Sequence, residues 1–163
     1  MRISEATLAI AVCGLVACQP STATLVQGNE NQLAGTASVI DGDTIEIHGE
    51  RIRLDGYDSP ERGSRCGSVN VYKEAAFALS NFIGQGTVTC DISGKDRYDR
   101  SIGDCEVGGK SLAEFMVSEG WARDWPRYSQ GAYADEERGA RNARRGIWGL
   151  HCPADLWGDR NYD

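Results

Sequence analysis

Three short segments rich in β-branched residues follow one another in the first third of the chain, and tight turns separate them. They span residues 36–40, 44–47 and 51–54. Asp41-Gly42 and His48-Gly49 lie between them, and pairs of this kind favour two-residue hairpin turns. Because β-branched side chains favour an extended backbone, the pattern predicts an antiparallel meander of three strands.

Helical and extended patterns alternate after this meander. The later elements are a helix over 69–83, strands over 87–92 and 101–107, a helix from the capping box at Ser111 to about Gly120, and a helix over 134–145. Apolar side chains recur at helical spacing in the first of these helices, and Gly84 ends it. The order predicts an α+β fold, namely a five-stranded Greek-key β-barrel of the OB type with three α-helices.

The start of the chain is typical of an export signal. The apolar stretch over 6–17 is too short to span a bilayer. It runs into Leu-Val-Ala-Cys, which resembles the lipobox of bacterial lipoproteins and makes Cys18 the expected lipidation site. An ordinary secretory signal and a chain without export are the alternatives. We expect an exported periplasmic or cell-envelope protein that is lipid-anchored or otherwise secreted.

The remaining chain length suits a single domain. We assign residues 1–18 to a signal peptide, 19–34 to a flexible tether, 35–150 to the OB-type domain and 151–163 to a C-terminal tail. The net charge is −7. This balance argues against tight non-specific binding of nucleic acid, which depends on neutralising phosphates with basic side chains. It does not exclude brief contact with phosphates through a few arginines.

Four cysteines remain once the two in the leader are set aside. An even number in an exported domain predicts two disulfides. Cys90 and Cys105 flank the centre of a predicted hairpin symmetrically, so we expect them to pair across it. Cys66 would then pair with Cys152 and pin the tail. A zinc site is the competing interpretation, but the sequence has no Cys-x-x-Cys pair.

Acidic and basic side chains lie at the ends of the predicted strands. Asp43, Asp58 and Glu61 fall within twenty residues of one another, Arg53 lies between them, and Arg100 follows in the loop that joins the last two strands. Carboxylates so placed can converge on one hard cation. Arginines beside them offer paired donors to a phosphate. These are the parts required to hydrolyse a phosphodiester, and no histidine base is needed.

Each of these residues also has an ordinary structural interpretation. Asp43 can be a solvated acid in a turn, and Ser59 can cap the start of a helix. Arg53 and Arg100 can be partners in surface salt bridges. These interpretations would all have to hold together, which makes the functional interpretation of the whole set the stronger one.

Five blocks of the sequence, in one order, resemble the thermonuclease (staphylococcal nuclease-like) family. They span residues 39–44, 53–61, 98–100, 118–122 and 146–148. The resemblance covers most of the chain beyond the tether. It implies a calcium-dependent nuclease that acts on DNA and RNA with little sequence preference and leaves 3′-phosphates. Apart from the resemblance, we expect a monomer whose contact with a membrane is limited to the lipid anchor.

The resemblance also assigns roles to individual residues. Asp43, Asp58 and the carbonyl of Ser59 would bind Ca²⁺. Glu61 would act as the general base or orient the attacking water. The scissile phosphate would be bound by Arg53 and Arg100.

The substrate would be held farther out, by residues around the rim of the site. Arg97 and Tyr98 match positions that contact a terminal phosphate in the family. Tyr128 matches the second of two tyrosines in the family's nucleotide pocket. The first falls on Pro126, and Trp125 offers a stacking face instead. The alternatives are a non-catalytic OB-type module that binds nucleic acid or a partner, and an envelope lipoprotein with a vestigial site.

Overall fold

The computed structural model describes residues 31–158, which form a closed barrel with helices packed around it. The barrel strands are β1 (Gln32–Asp41), β2 (Thr44–Ile47), β3 (Glu50–Leu54), β5 (Thr87–Lys95) and β6 (Ser101–Val107). Short strands are β4 (Tyr57–Asp58), β7 (Lys110–Ser111) and β8 (Arg123–Asp124). The helices are α1 (Val71–Ile83), α2 (Leu112–Ser118), α3 (Pro126–Ser129) and α4 (Ala134–Asn142), with a 3₁₀ helix at Gly146–Gly149.

The strand pairing confirms the predicted OB-type barrel. Antiparallel pairs connect the strands in the order β3-β2-β1-β5-β6, and a parallel pair between β3 and β6 closes the ring. The three-strand meander lies where the sequence predicts it. Strand β1 begins at Gln32, however, and its first residues pair with β5. Residues 32–34, which the sequence assigns to the tether, therefore belong to the barrel.

Helices α1 and α2 begin at polar caps. The Asn70 side chain accepts a hydrogen bond from the Lys73 amide at 3.2 Å, and Ser111 does the same for the Glu114 amide at 3.2 Å. Such caps satisfy amides that have no partner within the helix. Helix α1 therefore starts two residues later than predicted. Helix α4 ends at Asn142 because Arg144 adopts a left-handed backbone, with φ 54°. Helix α3 is a single extra turn with Pro126 as its first residue, a position that suits proline.

Two groups of buried side chains hold the fold together. The larger one fills the barrel and the space under α1 and α2. The smaller one lies beside it and is built around Cys66, Val71, Ile147 and Leu156. The tail is thus packed against the domain as far as the structure describes it.

Both expected cysteine pairs are disulfides in the structure. Cys90 and Cys105 face each other across β5 and β6, and Cys66 joins Cys152 over a separation of 86 residues. The predicted signal peptide and Cys18 lie outside the described residues. Among the helices that are described, none is long and apolar enough to cross a membrane.

Candidate active site

The turn between β1 and β2 carries the first predicted metal ligand, Asp43, and this side chain is held firmly. Its Oδ2 accepts a hydrogen bond from the Ser59 amide at 3.3 Å, and its Oδ1 accepts one from Thr44 Oγ1 at 3.2 Å. Gly42 permits this approach, because a Cβ there would lie 2.7 Å from Ser59 Oγ. The turn and the loop after β4 are therefore in direct contact, as a shared site requires.

Arg53 braces this arrangement from β3. Its guanidinium donates to the carbonyl oxygens of Asp43, Leu54 and Tyr57 at 3.3, 3.0 and 3.0 Å. It also forms ion pairs with Asp43 at 3.1 Å and with Asp58 at 3.8 Å. Arg53 thus joins both predicted carboxylate ligands to the backbone of three neighbouring segments.

Asp58 lies beneath the other site residues and is fully buried. Arg123, on the paired strand β8, donates to Asp58 Oδ2 at 3.0 Å. A buried carboxylate needs such compensation, because leaving water costs several kcal/mol, order of magnitude, if no partner is present. Arg123 was not among the predicted site residues. The 65 residues that separate it from Asp58 leave no local pattern from which the contact could be read.

Two carboxylates of the turn between β1 and β2, those of Asp41 and Asp43, lie close enough for the charge of one to change the pKa of the other. Burial, and next the charge of Asp43, raise the pKa of Asp41 to about 6. Two acids so close in a partly buried turn repel each other, and a cation beside them relieves that repulsion.

Six of the predicted residues line one cavity of about 260 Å³. They are Asp43, Arg53, Ser59, Glu61, Tyr98 and Arg100, and Asp41 lines the same cavity. Asp58 is not part of this lining. Within residues 31–158, no group of three His, Cys, Asp or Glu side chains is arranged to hold a metal ion. Among the side chains that line the cavity, the carboxylates and Ser59 offer oxygen atoms. Oxygen is the ligand type that calcium accepts, so these residues fit a hard cation.

Arg100 enters the cavity from the hairpin between β5 and β6. Asp96 holds it, accepting from Nε at 2.8 Å and lying 2.7 Å from Nη2. Arg100 Nη1 also donates to Thr44 Oγ1 at 3.3 Å. Burial raises the pKa of Asp96, but its hydrogen bonds with Arg100 and Tyr98 outweigh burial and lower that pKa below its ordinary value. Asp96 therefore stays charged and orients Arg100, a role that the sequence did not reveal.

A second cavity, of about 270 Å³, adjoins the first and shares Arg53, Tyr98 and Arg100 with it. The predicted substrate-binding residues Arg97, Tyr98 and Tyr128 all line it. Trp125 lines it as well, and its ring meets that of Tyr128 edge to face with 4.7 Å between centroids. The aromatic wall expected from Trp125 is therefore present beside the turn that begins at Pro126.

Glu137, on α4, joins two elements behind these aromatic rings. Its Oε2 accepts from the Asp124 amide at 2.8 Å, and its Oε1 accepts from Arg141 at 2.7 Å. It thereby ties α4 to β8, the strand that carries Arg123.

Known proteins resemble this chain over the same region. The sequence profile of the family described as staphylococcal nuclease homologue matches residues 51–149. The succinoglycan biosynthesis protein ExoI of Rhizobium meliloti (strain 1021) is 39% identical over 133 residues, covering 74% of this chain and 67% of that protein. The probable staphylococcal-like nuclease CAN4 of Oryza sativa subsp. japonica is 36% identical over 98 residues, covering 60% of this chain and 19% of that protein.

A fungal protein extends the comparison. The probable endonuclease LCL3 of Schizophyllum commune (strain H4-8 / FGSC 9210) is 29% identical over 116 residues, covering 60% of this chain and 39% of that protein. The chain thus spans about two thirds of ExoI and well under half of the two nucleases. Since the family profile matches more than half of the sequence, the chain belongs to the staphylococcal nuclease homologue family.

Proposed function

We propose that the protein is a calcium-dependent nuclease that hydrolyses phosphodiester bonds of DNA and RNA with little sequence preference and leaves 3′-phosphates. The observation that carries the proposal is the shared cavity, in which Asp43 and Glu61 lie with Arg53 and Arg100. The family, and relatives named as nucleases, support the same reaction class.

The cation would be held by Asp43, Asp58 and the Ser59 carbonyl, and it would supply Lewis-acid polarisation of the phosphoryl group. Glu61 accepts a proton from the attacking water at its carboxylate. The water oxygen forms a bond to phosphorus, and the bond from phosphorus to the 5′ oxygen breaks. The 3′-phosphate remains on one fragment, and the 5′ oxygen leaves with the other and takes up a proton from solvent water to become a hydroxyl.

The two arginines stabilise the charge that develops on the phosphoryl oxygens. Preset donors of this kind are effective because they need little reorganisation during the reaction. Arg100 is preset by Asp96, and Arg53 by the backbone carbonyls that it contacts. Removing one such donor typically costs ~10²–10³ in rate.

The second cavity would hold the neighbouring nucleotide. Trp125 and Tyr128 offer ring faces and edges to a base, and stacking of this kind tolerates any sequence. Arg97 and Tyr98 would contact a further phosphate. Because phosphate contacts carry no direct sequence information, these residues favour broad specificity. Because the net charge of the chain is −7, contact with nucleic acid would be confined to these residues and would be brief.

The protein would work outside the cytoplasm as a monomer. Two disulfides among the described residues suit an oxidising compartment. The leader motif would place the lipid on Cys18 and leave the domain attached to the envelope by its tether. Release as a secreted enzyme is the alternative.

The decisive experiment measures cleavage of single-stranded DNA and RNA by the purified, oxidised protein. Reactions contain calcium or a chelator, and Glu61→Gln is compared with the wild type. Glu74→Gln, an exposed glutamate on α1, is the matched control. We expect calcium-dependent cleavage that Glu61→Gln abolishes and Glu74→Gln preserves. A folded wild type that binds nucleic acid but fails to cleave it, whichever metal ion is supplied, would favour the binding-module alternative.

A further inference from the structure

The C-terminal tail lies directly against the loop that carries Glu61. The Glu61 amide donates to the Leu156 carbonyl at 3.3 Å, and Ser64 Oγ donates to the same oxygen at 3.0 Å. Leu156 itself is buried in the smaller apolar cluster. A carbonyl fixed by a buried side chain therefore sets the position of the Glu61 backbone.

The next tail residue, Trp157, contacts Arg123 of the site through its side chain. Arg123 lies over the Trp157 ring, 4.7 Å from its centroid. The same guanidinium binds the buried Asp58 at 3.0 Å. The Arg123 guanidinium therefore contacts both the indole and the carboxylate, and two partners restrict its position more than one.

Gly158 brings the tail backbone against the Glu61 side chain. A Cβ at Gly158 would lie 2.9 Å from Glu61 Cγ, and the residue has φ +69°, which favours glycine. No side chain can be added here without moving Glu61.

The Cys66–Cys152 disulfide closes this arrangement covalently. Cys66 belongs to the same loop as Glu61 and Ser64, and Cys152 begins the segment that carries Leu156 and Trp157. The loop and the tail segment are therefore joined by a covalent bond and by the two hydrogen bonds that the Leu156 carbonyl accepts.

We propose that residues 152–158 act as a strap that positions Glu61 and Asp58, with Arg123 and Trp157 as positioning residues. The inference rests on the nuclease reaction proposed above, because it assigns the strap a role at that same site. Groups that orient metal ligands and general bases commonly account for 10–100-fold in metal affinity or activity, order of magnitude. A displacement of about 1 Å at a reacting group can cost ~10²-fold in rate.

The first test is a double-mutant cycle between Trp157→Leu and Arg123→Met. Leucine keeps apolar volume in the cluster and removes the ring face, so the fold is retained.

Calcium affinity is measured by calorimetry, and kcat and KM are measured on single-stranded DNA. We expect each variant to weaken calcium binding ~10-fold or more, and the double variant to lose no more than Arg123→Met alone. Trp157→Phe, which restores a ring face, should restore most of the affinity. Fully additive losses, or Trp157→Leu with wild-type affinity, would overturn the role of Trp157.

The second test is hydrogen exchange at the Glu61 amide, which reports on the strap without any activity measurement. Trp157→Leu should accelerate exchange at Glu61 at least ~10-fold while amides of β5 keep their protection. Unchanged exchange at Glu61 would overturn the strap itself. A wild type that neither binds calcium nor cleaves nucleic acid would overturn the proposed function, and with it the positioning role, whatever the exchange result.

Discussion

One carboxylate oxygen of Asp96 contacts two nitrogens of the Arg100 guanidinium: Asp96 Oδ2 accepts from Arg100 Nε at 2.8 Å and lies 2.7 Å from Nη2. Asp96 Oδ1 also accepts from the Arg100 amide at 3.0 Å. Backbone and side chain of Arg100 are thus held by the same carboxylate. The hairpin that carries them therefore presents the guanidinium to the cavity in one orientation.

Asp96→Asn should lower kcat on single-stranded DNA ~10–100-fold, because an amide cannot hold the guanidinium through charged hydrogen bonds. KM should change little. Asp99→Asn is the matched control: Asp99 lies three residues away and is exposed, and its left-handed backbone, φ 63°, suits asparagine. Equal losses of kcat in the two variants would show that Asp96 has no specific role in orienting Arg100.

The two arginines of the cavity should differ in what they contribute to stability. Arg53→Met leaves Asp43 and the buried Asp58 with one cation fewer, and loss of a buried partner costs about 3–5 kcal/mol of unfolding free energy. Arg100→Met removes a partly exposed pair, which is worth about 0–1 kcal/mol.

Urea unfolding measures this difference, and cleavage assays on the same samples complete the comparison. Both variants should lose activity ~10²–10³-fold, since each removes a donor to the phosphoryl group. An Arg53 variant as stable as the wild type would show that its ion pairs with Asp43 and Asp58 do not stabilise the fold.

Local sequence patterns predict most strands of the barrel. They do not predict the contacts of the site that join segments distant in the chain. Alternation and turn residues place β1 to β3, because these features act over a few residues. The Asp58–Arg123 pair and the Glu61–Leu156 hydrogen bond join segments far apart in the chain. Nothing at either end of such a contact predicts its partner.

The tail illustrates the same limit. Leu156 and Trp157 stand in a short polar segment with no helical or strand periodicity, so the sequence left them without a role. Their function in the fold becomes visible only when the disulfide brings that segment against the Glu61 loop. Helix α3 was missed for a similar reason, because one turn is too short to show a period.

The two disulfides should have separable effects on activity. The Cys66→Ala/Cys152→Ala variant frees the tail from the Glu61 loop and should lower kcat. The Cys90→Ala/Cys105→Ala variant removes a link between β5 and β6 and should leave kcat near the wild-type value.

Both variants are expected to be less stable, by about 4–5 kcal/mol for the separation of 86 residues and about 3 kcal/mol for that of 15 in the chain-entropy estimate. Activity is therefore compared well below both melting temperatures. Equal kcat values in the two variants would argue that the tail disulfide serves stability alone.

Trp125→Leu should raise KM for single-stranded DNA and leave kcat nearly unchanged. Stacking of a base on an aromatic ring contributes about 1–3 kcal/mol, which corresponds to roughly 5–150-fold in KM. Phe77→Leu is the control, because Phe77 is an exposed aromatic side chain on α1 and lines neither of the two cavities. A loss confined to kcat would place Trp125 in the chemistry rather than in substrate binding.

Asp104→Asn should stabilise the protein at neutral pH. Asp104 faces Asp91 directly across β5 and β6. Burial raises the pKa of Asp104, and the charges of Asp55 and Asp91 raise it further. An acid whose pKa is higher in the folded state disfavours folding once it ionises. Stability is therefore greatest below the unfolded-state pKa and is lost as the pH rises through the folded-state value.

The expected gain from Asp104→Asn at neutral pH is about 0.2–1 kcal/mol, the usual cost of like charges placed opposite each other in a sheet. Melting temperatures measured from acid to neutral pH should show this gain at neutral pH and its disappearance in acid, where Asp104 is protonated in both states. Asp91→Asn is the matched variant and should gain less, since Asp91 Oδ1 also accepts a hydrogen bond from Gln32 at 3.0 Å. A gain that persists unchanged into acid would mean that repulsion between these carboxylates is not its source.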